Sequence, residues 1–237
     1  MKSVKFRMIA IALLSATMPF TAKAQDKVEA SVGADFVSNY IWRGTDCGGV
    51  SIQPSMGVSY KGLSLTAWGS VGIDKEDARE IDLTLGYNTG GFSVSVTDYW
   101  FSYHKEDGGY TGDYFKYGAH STVHIFEATL GYDFGPLALS WNTYFAGDDY
   151  TKENGDRAYS TYVGISAPFK LGGLDWSAEV GLTPWEGAYA NRFNVTNLTL
   201  KAEKEIKFTN SFSLPTFCLL YTSDVADDLI GVDLGGR

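Results

Sequence analysis

SIQPSMGVSY-KG-LSLTAWGSVGI, residues 51–73, decides the fold. Ile52, Pro54, Met56, Val58 and Tyr60 alternate with Ser51, Gln53, Ser55, Gly57 and Ser59. After Lys61-Gly62 the pattern resumes: Leu63, Leu65, Ala67, Gly69, Val71 and Ile73 alternate with Ser64, Thr66, Trp68 and Ser70. In a β-strand successive side chains point to opposite faces, so period two marks a strand whose faces meet unlike surroundings. A Gly pair position between two such runs is hairpin chemistry, because Gly accepts the positive φ that a tight turn requires. The stretch therefore predicts two antiparallel strands with one apolar and one small-polar face.

The same alternation extends along the chain. It predicts strands at 28–36, 51–60, 63–73, 81–87, 92–97, 124–134, 137–145, 159–169, 174–182, 195–203 and, at the end, 211–217. No segment carries a helical period. These runs are roughly the 9 to 11 residues that cross a bilayer as a tilted strand. The connections alternate as well. Short turns at Lys61-Gly62, Asn88-Thr-Gly-Gly91, Gly135-Pro136 and Lys170-Leu-Gly-Gly173 separate long polar loops at 41–50, 74–80, 102–122, 146–158 and 183–193. Short on one side and long on the other is the hairpin order of an outer-membrane barrel. Tyr60, Tyr87, Phe92, Phe134 and Phe169 crowd the short-turn end of the apolar phase, as in an interfacial aromatic girdle.

A soluble β-sandwich or lipocalin-like barrel also alternates, with its apolar phase facing a core. Long uniform strands, loops segregated by length, and a polar phase of Ser, Thr, Gly and acid rather than mixed Lys and Glu favour the membrane barrel. The predicted fold is all-β: a transmembrane antiparallel up-and-down β-barrel, of about twelve strands in the intact protein because even counts dominate such barrels. The twelfth is expected to be missing here.

Both ends are set apart from the barrel. Residues 1–24 read as a signal peptide: Lys2, Lys5 and Arg7, an apolar run from Met8 to Phe20, then Ala22-Lys23-Ala24. That places the expected location in the bacterial outer membrane. Residues 218–237, CLLYTSDVADDLIGVDLGGR, read as the translation of a sequencing-library adapter, with Cys218–Ser223 encoded by the transposase end and Val232–Arg237 by the second adapter. The barrel is then residues 25–217. Removing the four basic residues of the first segment and the four acids and one Arg of the last leaves 24 acidic against 14 basic side chains, net −10. So acidic a surface excludes nucleic acid as a partner, since phosphate binding needs a basic one. Two cysteines in the chain exclude a disulfide scaffold and a four-cysteine zinc site.

VSNYIWRGTDCGGVSIQPSMGVSYKGLSLTAWGSV, residues 37–71, resembles the TorF-like family of bacterial porins. The resemblance rests on an Asn-Tyr-x-x-Arg-Gly run (Asn39, Tyr40, Arg43, Gly44), a Pro-containing strand with Pro54, the Gly62 turn, and Trp68 with Ser70. It implies an outer-membrane barrel and brings no catalytic residues with it.

Projecting the polar phase inward puts Glu29, Asp35, Asp82, Glu127, Asp133, Asp175, Glu179, Lys201 and Glu203 on the lumen. A lumen lined this way concentrates cations and repels anions, although acids near the rims are screened by water. Within Tyr40-Ile-Trp-Arg-Gly44, Trp42 suits an interfacial anchor and Arg43 a pairing with a lumen acid or a lipid headgroup. An enzyme reading finds little. His104, His120 and His124, with Glu106, Asp107 and Asp113, would need a helix to bring His120 and His124 together on a metal, and the chain has no G-x-S-x-G elbow. The Tyr- and Asp-rich loop 102–122 suits recognition by an adhesin-like barrel, or could fold into the lumen and narrow it. The expected function is passive passage of small hydrophilic solutes, cations or neutral species preferred. Outer-membrane lipid is the partner, and no cofactor, metal or catalytic residue is expected.

Overall fold

The computed structural model describes residues 27–75, 77–105, 109–119, 121–209 and 213–223. The expected signal peptide, Glu106, Asp107, His120 and the chain beyond 223 lie outside the described residues. In chain order the strands are β1 (Glu29–Val37), β2 (Tyr40–Trp42), β3 (Thr45–Gly48), β4 (Ser51–Tyr60), β5 (Leu63–Gly72), β6 (Arg79–Thr89) and β7 (Phe92–Ser102). Then follow β8 (His104–Lys105), β9 (Gly109–Tyr110), β10 (His124–Asp133), β11 (Ala138–Gly147), β12 (Thr161–Leu171), β13 (Leu174–Thr183), β14 (Asn194–Lys207) and β15 (Ser213–Ser223). There is no helix among the described residues.

The eleven long strands form one sheet in the order β1-β4-β5-β6-β7-β10-β11-β12-β13-β14-β15, each antiparallel to the next along the chain. They are the eleven expected strands. The two short pairs, β2-β3 and β8-β9, were expected as loop. β1 and β15 are the edges, and among the described residues no ladder joins them. β15 passes without a break through the junction at 217/218, pairing Ala202 with Cys218 and Asn197 with Ser223. Leu219 and Tyr221 carry on the inner phase begun by Phe217; Leu219 packs on Ile41, and Phe217 and Tyr221 flank that pair.

The tight turns have the expected chemistry. Lys61 and Gly62 both take positive φ, 49° and 87°, and close the β4–β5 hairpin as a two-residue turn with both central residues in the left-handed region. Gly91, Gly135 and Gly173 supply the same freedom at the other short connections.

The two faces of the sheet are inverted relative to a soluble protein. Val32 (85% exposed), Phe36, Met56, Leu65, Leu85 and Leu130 stand on the outward phase and are exposed. Ser51, Gln53, Ser70, Glu80, Thr97, Glu127 and Asn142, on the inward phase, are buried. Burial of the inner face comes from curvature. Eleven strands laid flat would span roughly 50 Å at about 4.8 Å per strand. Yet Tyr40–Gly44 reaches Trp68 on β5, Tyr99 on β7, Glu127 on β10, Tyr162 on β12, Asn197 on β14 and Leu219 on β15. One five-residue segment touches all of these only if the sheet curls around it.

Candidate functional site

The segment at the centre of that curl is the β2–β3 hairpin. Arg43 and Gly44 form its turn, with φ of 49° and 80°, and Trp42 pairs with Thr45 across it. It is the same two-residue turn as Lys61-Gly62. The four residues of the Asn-Tyr-x-x-Arg-Gly run all serve this hairpin. Asn39 Nδ2 donates to Asp46 Oδ1 at 2.9 Å and ties the base. Tyr40 packs against Trp68 at a tilt of 56°, with ring centroids 5.5 Å apart. Arg43 reaches the wall, and Gly44 makes the turn.

Arg43 grips Glu127 with both arms of its guanidinium: Nη1 donates to Oε2 at 2.6 Å and Nη2 to Oε1 at 2.9 Å. Nη1 also donates to the Tyr189 hydroxyl at 2.5 Å. The flat faces of the guanidinium lie over Trp42 (4.2 Å) and Tyr162 (4.6 Å). Glu127 is 1% exposed and Arg43 11%. Burial by itself would pull the Arg43 guanidinium down, but the Glu127 carboxylate, with Tyr189 and Tyr99, holds it well above the ordinary arginine range. Glu127 Oε1 further accepts from the Tyr99 hydroxyl at 3.0 Å. Tyr189 enters from the connection between β13 and β14 and donates to the Tyr144 hydroxyl at 3.2 Å. The result is a bidentate ion pair wrapped in aromatic rings, the arrangement in which a buried charge pair is satisfied rather than stranded.

Three expectations are corrected here. Residues 41–50 do not form an external polar loop; the chain turns inward, because Ile41, Trp42 and Arg43 find aromatic and acidic partners on the inner face. Trp42 is not an interfacial anchor: its ring lies 5.8 Å from Tyr99 and 6.2 Å from Tyr189. Of the two pairings open to Arg43, the structure has the inner acid. The described residues of the long connection after β7 do not pack around Arg43 either. They lap the outer face, where His124 Nδ1 sits 2.6 Å from Asp98 Oδ1 and His124 Nε2 2.7 Å from the Tyr114 carbonyl oxygen. Tyr114 and Tyr117 cover the imidazole. His104 meets Tyr110 edge-on at the β8–β9 hairpin.

All nine expected lumen residues lie on the inward phase, but they divide by height. Glu29 is exposed at the start of β1, and Asp133 caps its turn by accepting from the Gly135 N–H at 2.7 Å. Asp175 pairs with Lys170 at 2.7 Å, both exposed, and Glu203 pairs with Lys201 at 2.6 Å. These four acids belong to the short-turn rim. Asp35, Asp82, Glu127, Glu179 and Lys201 are deeper. Glu179 Oε1 accepts from the Tyr162 hydroxyl at 2.7 Å, and Lys201 on β14 lies within electrostatic reach of Asp35 on β1. Glu80, Tyr99, Tyr144, Tyr162, Tyr189 and Asn197 complete the inner surface and were not expected as site residues. Glu80 sits two residues before Asp82 on the same phase, and was lost only because the strand was expected to begin at residue 81.

The hairpin supports two direct tests. A methyl on Gly44 would sit 2.6 Å from Asn197 Cβ and 3.2 Å from the Thr196 carbonyl oxygen, at a φ that L-residues disfavour. Gly44→Ala is expected to cost at least about 1–2 kcal/mol in detergent-solubilised unfolding; an unchanged midpoint would mean that the hairpin is not seated there. Cys47, on β3, has its thiol pushed up to about 12, chiefly by burial and then by Glu80. In a Cys218→Ser background, alkylation at pH 8 is expected to run on the order of 10³-fold slower in the folded chain than in urea. Similar rates in both would place Cys47 in open water.

No family model, curated protein or solved structure matches the chain.

Proposed function

We propose that the chain is a transmembrane β-barrel of the bacterial outer membrane, akin to the TorF-like porins, through which small hydrophilic solutes diffuse passively. The observation that carries this reading is the inverted partition of the sheet, apolar and exposed outside, polar and buried inside. A fully exposed Leu, Val or Phe forgoes roughly 1.5–3 kcal/mol of burial in water, and this fold leaves rows of them outward. Hydrocarbon removes that cost, provided the backbone groups of the edges are paired, by β1 meeting β15 or through a further strand. Tyr60, Tyr87, Phe92, Phe134 and Phe169, exposed at the short-turn end, then stand at one headgroup level.

Solute choice follows from the inner charges. Asp35, Glu80, Asp82, Glu127 and Glu179 face Arg43 and Lys201, an excess of acid inside a low-dielectric wall, which favours cations and neutral solutes. In planar bilayers under a KCl gradient the reversal potential is expected to take the sign of cation preference; the opposite sign would defeat the assignment. One observation favours a second reading, a non-conducting structural or adhesin-like barrel: the hairpin and Tyr189 fill the inner face around Arg43. Silent bilayers containing correctly folded protein would favour it.

A further inference from the structure

We infer that the β2–β3 hairpin is a gate for the proposed pathway and that the Arg43–Glu127 pair is its latch; this rests on the porin reading above. Four observations lead to it. The hairpin pairs only with itself and belongs to no ladder of the eleven-stranded sheet, so its release breaks no strand pairing. It carries its own turn and its own base tie, Asn39 to Asp46, and can therefore move as a unit. Its return arm is Gly48-Gly49, the pair of residues with the widest backbone freedom at the point where a hinge is needed. The wall beneath it is polar and aromatic rather than aliphatic over most of its contacts.

The last point separates a gate from a permanent plug. A plug seated on an apolar wall would be held by the hydrophobic effect, and lifting it would expose grease to water. Here the wall is mixed: Glu127 and Asn197 stand beside the rings of Trp68, Tyr99 and Tyr162, and the two tyrosines carry hydroxyls that hydrate once uncovered. What opposes release is the bidentate contact at Glu127, the contacts of Arg43 with Tyr162 and Tyr189, the rings of Tyr40 and Trp42 against Trp68, Tyr99 and Tyr189, the Ile41–Leu219 contact, and the Gly49 N–H donating to Asp77 Oδ1 at 3.1 Å. Arg43 itself holds a positive φ of 49°, which is relieved if the turn relaxes. Of these contacts the charge pair is the one that joins two full charges, and a single substitution removes it while leaving the rings in place. Opening it leaves a channel edged by carboxylates, which is the cation-favouring surface required by the pathway.

Single-channel recording of the full-length chain with three variants tests this. Glu127→Gln keeps shape and removes the charge; Arg43→Ala removes the latch; replacement of residues 40–48 by Gly-Gly removes the gate. Folding of each is verified by the heat-dependent gel mobility of the unboiled protein. The wild type is expected to be closed for most of the time, with both point variants raising the open-to-closed ratio by at least about 100-fold, the lower end of the scale of breaking a buried ion pair. The hairpin-free chain is expected to stay open. If Arg43→Ala and Glu127→Gln leave the ratio unchanged while the hairpin-free chain conducts, the hairpin is a fixed plug and the gate is overturned. If the wild type is as open as the hairpin-free chain, the gate is overturned and the pore survives. If the folded hairpin-free chain is also silent, both fail.

Discussion

Glu127→Ala is expected to destabilise the folded chain by about 3–5 kcal/mol, because it leaves the Arg43 guanidinium buried without its counter-charge. The loss is not the net value of the pair. Two charges taken from water have already spent most of their attraction on desolvation, so the stability of the pair relative to an apolar substitute is small. The double variant Arg43→Met/Glu127→Leu should therefore recover most of what Glu127→Ala loses. Tyr99 adds to the penalty, since its hydroxyl donates to the same carboxylate at 3.0 Å. Unfolding by urea in detergent micelles, run as a cycle of the wild type, Arg43→Ala, Glu127→Ala and Arg43→Ala/Glu127→Ala, measures the coupling. A coupling within the range of a surface ion pair, below about 1 kcal/mol, would mean that the pair is solvated and the inner face is open to water.

Leu85→Arg should cost about 2–4 kcal/mol when the protein is folded into a bilayer. Leu85 is 54% exposed on the outward phase, level with Leu65 on β5 and Val96 on β7. If this row meets hydrocarbon, a guanidinium there must be dragged through lipid or deform it. If the row meets water, the same substitution is a surface change worth no more than about 0.5 kcal/mol. The two readings of the alternating pattern thus differ several-fold at one position. Equilibrium folding into vesicles, compared with Leu85→Ala to remove the effect of side-chain loss, decides between them. A negligible arginine penalty would reverse the assignment of the two faces, and with it the proposed passage of solutes.

Strand identity was legible because it depends on a local property. Residues 51–73 alternate in polarity, and a strand places alternate residues on opposite faces whatever its partners. So β4 and β5 fall at Ser51–Tyr60 and Leu63–Gly72, close to the expected limits. Strand ends were less legible. β6 begins at Arg79 and β7 ends at Ser102, several residues beyond expectation, because pairing between neighbours extends a strand into residues with no alternation of their own. The nine residues named from the sequence share one phase of the sheet for the same local reason. Which of them act together was not legible. Glu127 became central through a residue 84 positions away, and nothing in its own neighbourhood distinguishes it from Asp133.

The Arg43-Gly44 turn did leave a signal: it repeats the cation-Gly pair of Lys61-Gly62, and both take the same backbone conformation. Period-two patterning and turn residues by themselves determined an all-β chain, the order and count of its long strands, and the shared phase of the nine inner residues named from them, since each of these is settled within a few residues of backbone geometry. Only the tertiary structure decided that a loop expected outside turns in. That choice is made by Glu127, Tyr162, Asn197 and Leu219, which stand on four different strands and come within reach of Arg43 and its neighbours only once the sheet has curled.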